Sequence, residues 1–368
     1  MSPEISIKRV GDRIFITGAL CAENISEVIA ELNDNHPYTL DFDGVSDMDF
    51  SSLRALLNHR QRGNLFYVAN VSPAVAHRFS GTGADKFISV TERPIEVDMD
   101  DYEYFGDGYT ALSYNHRSGQ QVLKLYHDFM PQDVVEKEKR TAVSALLMGI
   151  PTPRTGPIVR IGKRHGLIFE RIANKKSFAR AIADTPEKLE YYAITFADMC
   201  KRLHDTPCDT SVFPSIREFY RDLVTRTPHF SENEKQRFAA FLETVDEKNT
   251  CIHGDLHIGN VITTGEVNLF IDMADFGYGD PLFDLGLLYY MSHSESPERT
   301  MRLFHIDDAT FLNFWHIFLR RYFNTNDASE LAGIEARIKP FAALKMIHFG
   351  ELSQHMSDWQ KSFVRREL

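Results

Sequence analysis

The chain has 368 residues, 43% of them apolar and 25% charged, a composition that fits two or three globular domains and is too apolar for a mainly disordered chain. Its formal net charge of −11 is a poor fit to a general nucleic-acid binder and suits a cationic partner. The four cysteines show no CxxC spacing, residues 1–20 lack the apolar core of a signal peptide and no apolar run could span a membrane, so the expected setting is the cytoplasm, with no nucleic acid and no membrane as partner.

In chain order, residues 5–10 and 13–20 read as strands joined by a Gly11-Asp12 turn, and 25–32 has helical periodicity. A short strand at 39–42 ends in Asp43-Gly44. A helix at 51–60 places Leu53, Leu56 and Leu57 on one face, with Ser51 or Ser52 as its expected N-cap. A strand at 65–71, a helix at 73–79 capped by Ser72 and a last strand at 87–90 complete an alternation that predicts a sheet covered by helices. A polar break with Pro94 spans 91–99. Strands follow at 109–114 and 121–126, then a helix at 132–148 stopped by Gly149 and Pro151, then strands at 158–161 and 167–172. From residue 178 the pattern is helical, except for a loop-and-strand insert at 251–274.

That insert carries the chemistry. Residues 251–284 read CIHGDLHIGNVITTGEVNLFIDMADFGYGDPLFD, with Asp255 and Asn260 five apart and Asp272 twelve further on. Phosphoryl transfer needs a carboxylate to orient and deprotonate a hydroxyl, oxygen ligands for Mg²⁺, and a rigid hairpin to hold them; these three residues supply that set. A second pattern, His253-x-Asp255-x-His257, would put three transition-metal ligands on one face if the segment were a strand. Asp280-Pro281 reads as a helix start, and Asp275 is a further candidate for solvent, substrate or metal.

HGDLHIGN followed by FIDMADFGYGDPLFDL resembles the aminoglycoside phosphotransferase and choline kinase-like family, a branch of the protein-kinase-like fold. The resemblance covers about residues 97–368. It implies that Asp255 is the catalytic base, that Asn260 and Asp272 hold Mg²⁺, that His253 braces the loop and that His257 lies close to the transferred phosphate or packs beside it. Asp284 resembles the family aspartate that buttresses the loop.

Upstream, Gly106 and Gly108 lie in a glycine-containing turn over 104–110, ahead of Lys124, a charge inside the apolar strand VLKLY. By the same resemblance Lys124 holds the α/β-phosphates of ATP. Its ion-pair partner is expected from the next helix, where Glu138 shares a face with Ala142 and Ala145 and Glu136 competes. Phe169, Glu170 and Ile172 match the hinge whose backbone binds adenine. The C-terminal helices are where the family builds its acceptor pocket; Glu351, His348, His355 and Trp359 there read as the solvated face of an amphipathic helix.

The N-terminal segment LDFDGV (40–45), followed by Asp49-Phe50-Ser51-Ser52-Leu53 and a leucine-rich helix, resembles the STAS domain, a family that includes anti-sigma factor antagonists. Regulatory members carry a phosphoacceptor serine at the start of that helix. Here Phe50 and Ser52 depart from the motif, so no regulatory phosphorylation is expected.

The expected fold is an α/β N-terminal STAS-like domain (1–94) plus an α+β two-lobed protein-kinase-like fold. The latter divides into an N-lobe with the nucleotide clamp (95–172) and a helical C-lobe with the catalytic loop and acceptor pocket (173–368). The expected function is ATP- and Mg²⁺-dependent phosphoryl transfer to a small hydroxylated substrate, cationic ones included, with the STAS-like domain available to a protein partner. The alternative is a nucleotide-binding regulatory module with little turnover; protein-kinase activity ranks below both.

Overall fold

In a computed structural model of the protein, which describes residues 4–32, 36–108, 110–293 and 296–368, the alternating pattern at the start of the chain forms a hairpin. Strands β1 (Ser6–Val10) and β2 (Arg13–Leu20) pair antiparallel across a turn in which Gly11 takes φ +58°, a conformation glycine adopts without strain. Then come α1 (Ile25–Ala30), β3 (Tyr38–Met48), α2 (Phe50–Gln61), β4 (Phe66–Val71), α3 (Pro73–Thr82) and β5 (Val90–Glu92). The sheet order is β1-β2-β3-β4-β5, parallel from β2 to β5. Leu40, Phe42 and Val68 of the sheet pack with Leu53, Leu56 and Phe79 of the helices in one apolar core. Each such side chain contributes about 1.5–3 kcal/mol by leaving water.

Three expectations here are corrected. Strand β3 does not stop at Asp43-Gly44 but runs on to Met48: a register shift against β2 between Asp41 and Gly44 lets the pairing continue, with Gly44 so close to the Thr17 side chain that a Cβ there would collide with it. The cap of α2 is Asp49, whose Oδ1 accepts the Ser52 amide at 2.7 Å, while the Ser52 hydroxyl is buried without a partner and Phe50 is exposed. The last strand is shifted to 90–92, since a 3₁₀ turn occupies 84–86. Ser72 caps α3 as expected, accepting from Val75 N.

The next sheet comprises β6 (Ile95–Glu96), β7 (Tyr102–Asp107), β8 (Ala111–His116), β9 (Gln121–Tyr126), β10 (Thr155–Ile161) and β11 (Arg164–Glu170), in the order β6-β10-β11-β9-β8-β7. Helix α4 (Gln132–Leu147) lies between β9 and β10 in sequence. Period-two alternation sends Leu123 and Leu125 to one face, with Val159 and Ile168, and Tyr126 to the other, with Leu167 and Val135 of α4. The sequence reading missed β6 and β7. The first is two residues long, and most of the second is exposed, so neither shows apolar alternation.

Two compact units result: one runs up to Val143 and includes Arg154–Arg171, the other comprises Ser144–Pro153 and Ile172–Leu368. The second begins with β12 (Lys176–Ser177), α5 (Phe178–Asp184), α6 (Leu189–Asp205), α7 (Ile216–Arg226) and α8 (Glu232–Glu243). The insert then supplies β13 (Cys251–Ile252), β14 (Val261–Thr263), β15 (Asn268–Phe270) and β16 (Gly277–Tyr278). It is followed by α9 (Leu282–Ser292), α10 (Pro297–Phe304), α11 (Asp308–Phe323), α12 (Ala328–Ser353) and α13 (Asp358–Glu367). One apolar core rich in aromatic rings, including Phe196, Phe314, Trp315 and Phe318, joins these helices. Helix α9 begins just after Asp280-Pro281, and Asp280 Oδ1 accepts the Leu282 amide at 2.9 Å. Among the described residues no helix is long and apolar enough to cross a membrane.

Candidate active site

Two short ladders hold the 253–260 loop. β13 pairs with β16, and β14 pairs with β15, so the loop is fastened at both ends. Asp284, fully buried on the first turn of α9, receives the His253 amide on Oδ2 and the Gly254 amide on Oδ1, both at 2.8 Å. His204 Nε2 lies 3.0 Å from Asp284 Oδ2, and its Nδ1 lies 2.7 Å from the Tyr322 hydroxyl. Burial alone would raise the Asp284 pKa. The hydrogen bond and charge of His204, with His253 behind them, outweigh it and hold the carboxyl below its ordinary value.

Gly254 takes φ +82°, and a Cβ at this position would run into the Asp275 carbonyl. Its own carbonyl accepts from the buried Nζ of Lys345. Desolvation works against the Lys345 charge, but Tyr220, Asp255 and Asp275 more than compensate and raise its pKa. Sequence reasoning missed Lys345. The signal that marked Lys124 was present, a lone lysine in the apolar run FAALKMI, but nothing local tied it to a loop 91 residues away.

His253 donates from Nε2 to the Ile271 carbonyl, 3.1 Å away, while its Nδ1 accepts the Asp255 amide at 3.3 Å; it braces the loop on both sides. Asn260 Nδ2 donates to both the backbone oxygen and Oδ2 of Asp255, each at 2.9 Å. That leaves Asp255 Oδ1 and Asn260 Oδ1 without a hydrogen-bond partner among the described residues. His257 accepts the Gly259 amide on Nδ1 at 3.0 Å, which sets Nε2, 3.8 Å from Asp255 Oδ2, as the protonated nitrogen. Desolvation lowers the His257 pKa against the opposing pull of Asp255. Asp272 sits at φ +62°, a left-handed conformation costly for a side-chain-bearing residue and typical of functional sites.

The residues fit Mg²⁺ bound with a phosphate chain. Asn260 has its amide nitrogen committed to Asp255 and its oxygen available, and the Asp272 carboxylate is of the hard-oxygen type that Mg²⁺ takes, the ion filling the rest of its shell with phosphate and water. Among the described residues no group of three or more His, Cys, Asp or Glu side chains is arranged to hold a metal. The segment 253–260 is a loop, not a strand, so His253, Asp255 and His257 do not form the alternating triad.

In the first unit, Lys124 Nζ bonds Glu138 Oε1 at 2.8 Å and Oε2 at 3.0 Å, and the Tyr126 hydroxyl donates to the same carboxylate. Glu138, not Glu136, is therefore the lysine's partner. Gly106 lies at a bulge in β7, and the Gly108 amide donates to the Ala111 carbonyl at 2.8 Å, closing the β7–β8 hairpin. The expected turn is thus largely a strand, β7, that ends at Asp107; Tyr109 lies outside the described residues. Phe169 and Glu170 end β11, and Ile172 follows the strand rather than ending it. The Glu170 amide is taken by the Arg154 carbonyl at 2.9 Å, and its carboxylate by Arg154. Ile172 keeps both its N–H and its C=O outside the hydrogen bonds of the described residues. Of the C-terminal cluster, Glu351 accepts from Thr227 at 2.7 Å and His348 is half-buried against Phe219 and Tyr220, so only part of that face is solvated.

Residues 101–311 match the family described as "Phosphotransferase enzyme family", and residues 7–101 match the STAS domain. No curated protein sequence is recognisably similar to the chain. Similar solved structures include a choline/ethanolamine kinase family protein from Mesorhizobium loti, at 16% identity over 72% of this chain and 85% of that one, with a TM-score of 0.45. Another is the streptomycin–ATP–APH(2'')-IIa ternary complex, at 15% identity over 78% and 94%, TM-score 0.48. A third is the aminoglycoside phosphotransferase APH(3'')-Id from Streptomyces rimosus, at 19% identity over 63% and 89%, TM-score 0.44.

Proposed function

Because the chain belongs to the phosphotransferase enzyme family, with a STAS domain ahead of the catalytic segment, we propose that it transfers the γ-phosphoryl group of ATP to the hydroxyl of a small molecule in the cytoplasm. The observation that carries this reading is the Asp255–Asn260 clamp, which fixes a partly exposed carboxylate with one oxygen open.

In this reading the acceptor hydroxyl donates to Asp255 Oδ1, which orients it and takes its proton as the oxygen attacks phosphorus. Asn260 holds the carboxylate plane through Oδ2. His257 presents its Nε2–H on the Oδ2 side of Asp255, 3.8 Å away, and leaves Oδ1 to the acceptor. Lys124, oriented by Glu138, binds the α/β-phosphate oxygens, and the Ile172 peptide group takes the adenine. Asn260 Oδ1 and Asp272 would hold Mg²⁺, which supplies charge neutralisation on the phosphate chain. Most of the catalysis is positioning and electrostatic stabilisation.

The test compares two isosteric variants in phosphoryl transfer titrated with magnesium. Asp255→Asn keeps volume and nucleotide contacts but lacks the proton acceptor. It is expected to bind Mg·ATP normally and to transfer about 10²-fold more slowly or worse. Asp272→Asn turns a charged ligand neutral and is expected to raise the magnesium requirement as well as lower the rate. Wild-type turnover in Asp255→Asn would refute the mechanism. Mg·ATP binding by the wild type with no transfer to a panel of hydroxylated acceptors, or to water, would favour the regulatory reading.

A further inference from the structure

Helix α4 carries Glu138 on one side and a different stripe on the other. Gln132, Glu136 and Arg140 repeat every four residues, and Glu136 lies about 200° around the helix from Glu138. That stripe meets the five-stranded sheet. Arg13, the first residue of β2, donates from Nη2 to Glu136 Oε1 at 2.9 Å, from Nη1 to Oε2 at 3.2 Å and from Nε to Asp41 Oδ2 at 2.7 Å. Gln132 Nε2 donates to Asn70 Oδ1 at 2.6 Å and to Glu136 Oε1 at 2.8 Å, and Asn70 Nδ2 closes the ring on Asp41 Oδ2 at 2.9 Å. The Arg140 guanidinium stacks 3.9 Å from the Tyr67 ring centre.

This contact is built for geometry. The Glu136 side chain is 0% exposed, Asp41 is 4% and Arg13 18%. A fork of guanidinium N–H groups on a carboxylate fixes orientation as well as distance. Asn70 holds φ +59°, a strained conformation for a non-glycine residue, and in it presents its amide to both Asp41 and Gln132. A domain merely tethered to its neighbour has no need to bury two carboxylates and a guanidinium against it, since desolvating charges is costly unless every partner is in place.

We propose that the STAS domain positions α4, through Arg13 and Asn70, and thereby sets the Lys124–Glu138 ion pair that receives the nucleotide. Arg13 and Asn70 are positioning residues, since neither touches the lysine. The idea rests on the reading of Lys124 as a nucleotide ligand, and its test carries one readout independent of nucleotide.

The experiment uses the full chain, with Mg·ATP affinity measured by calorimetry and hydrogen exchange followed over residues 132–143. Arg13→Gln is expected to weaken Mg·ATP about ten-fold, within the usual range for coupled sites, and to speed exchange along α4. Arg13→Lys, which gives one contact in place of the fork, should recover part of both. Arg78→Gln, which removes an exposed ion pair to Asp47, should leave both unchanged. A folded Arg13→Gln with wild-type affinity and wild-type exchange overturns the proposal, even if its melting temperature falls. Should Arg13→Gln not fold, the half-buried Gln132→Ala decides by the same two readouts, with smaller shifts expected. A wild type that binds no Mg·ATP defeats the nucleotide reading alone, and exchange along α4 then decides the positioning role.

Discussion

Asp284 and Glu136 are both fully buried carboxylates that hold a backbone element in place, yet they are satisfied in different ways. Asp284 takes two backbone amides from its own motif, at 30 and 31 residues' separation, with His204 behind it. Glu136 takes the side chains of Arg13, 123 residues away, and of Gln132 one turn earlier. Amide acceptance shapes the backbone of the loop directly, with only one side chain, that of Asp284, to keep in place. The guanidinium fork instead joins side chains of two elements, β2 of one sheet and the helix α4 that follows β9 of another, and depends on rotamers at both ends. The difference sorts the buried charges into those that build the site and those that set how the site is held.

Breaking the first kind should have the largest effect. Asp284→Ala leaves the His253 and Gly254 amides and His204 buried without an acceptor. The expected cost is about 3–5 kcal/mol, the range for stripping one partner from a buried charged network, read as a lower denaturant midpoint with loss of phosphoryl transfer in whatever fraction folds. Gly254→Ala comes next. Left-handed φ costs about 1–3 kcal/mol for a residue with a Cβ, and the collision with the Asp275 carbonyl must also be relieved by moving the loop. Activity should fall more steeply than stability there, because Asp255 follows directly. Equal kcat/KM in Gly254→Ala and wild type would show that the tight approach is not needed.

Lys345→Met keeps length and apolar character but removes the charged donor to the Gly254 carbonyl. A hydrogen bond to a charged group is worth about 1.5–3 kcal/mol, and this loss should appear both in stability and in the transfer rate. If stability falls while the rate per folded molecule is unchanged, Lys345 supports the helix core and not the loop.

The same contrast explains what could be read from the sequence. The β/α alternation of residues 5–82, the strand at 121–126 and the 251–284 motif were legible because each depends on residues close in sequence. Asp284, whose amide partners lie 30 and 31 residues away, was legible only because it closes the motif that carries the family resemblance. Lys345, Arg13 and Asn70 lie in no such motif, and each acquires its role from a partner 29 to 123 residues away. The cap of α2 was misassigned to a serine because Ser, Thr, Asn and Asp all satisfy the local preference, and only geometry chose Asp49. Strand β7 was hidden because an exposed edge strand has no apolar face to announce it.

The smallest expected effect is a pH dependence, and it tests whether the surroundings of Lys345 form one electrostatic unit. His348, three residues further along α12, is pushed down to about 4, first by desolvation and then by the Lys345 charge, against the weaker opposing pull of Asp275 and Asp255; Arg226 adds to the repulsion. Its Nδ1 is buried without a partner. Unfolded, the imidazole returns to about 6.5 and binds a proton that the folded ring refuses. Between pH 6.5 and 4 the unfolded state therefore holds more protons, so stability is complete above pH 6.5 and falls as pH drops towards 4, by at most about 1.4 kcal/mol per pH unit. Other histidines lowered by burial, His257 and His293 among them, add slopes of the same sign, so the comparison is between variants. His348→Gln should flatten the stability curve across this window relative to wild type and leave the two curves parallel above it. In a Lys345→Met background the His348→Gln difference should shrink, because the repelling charge is gone. An undiminished difference would mean that burial alone sets the His348 proton affinity and that the two side chains are not coupled.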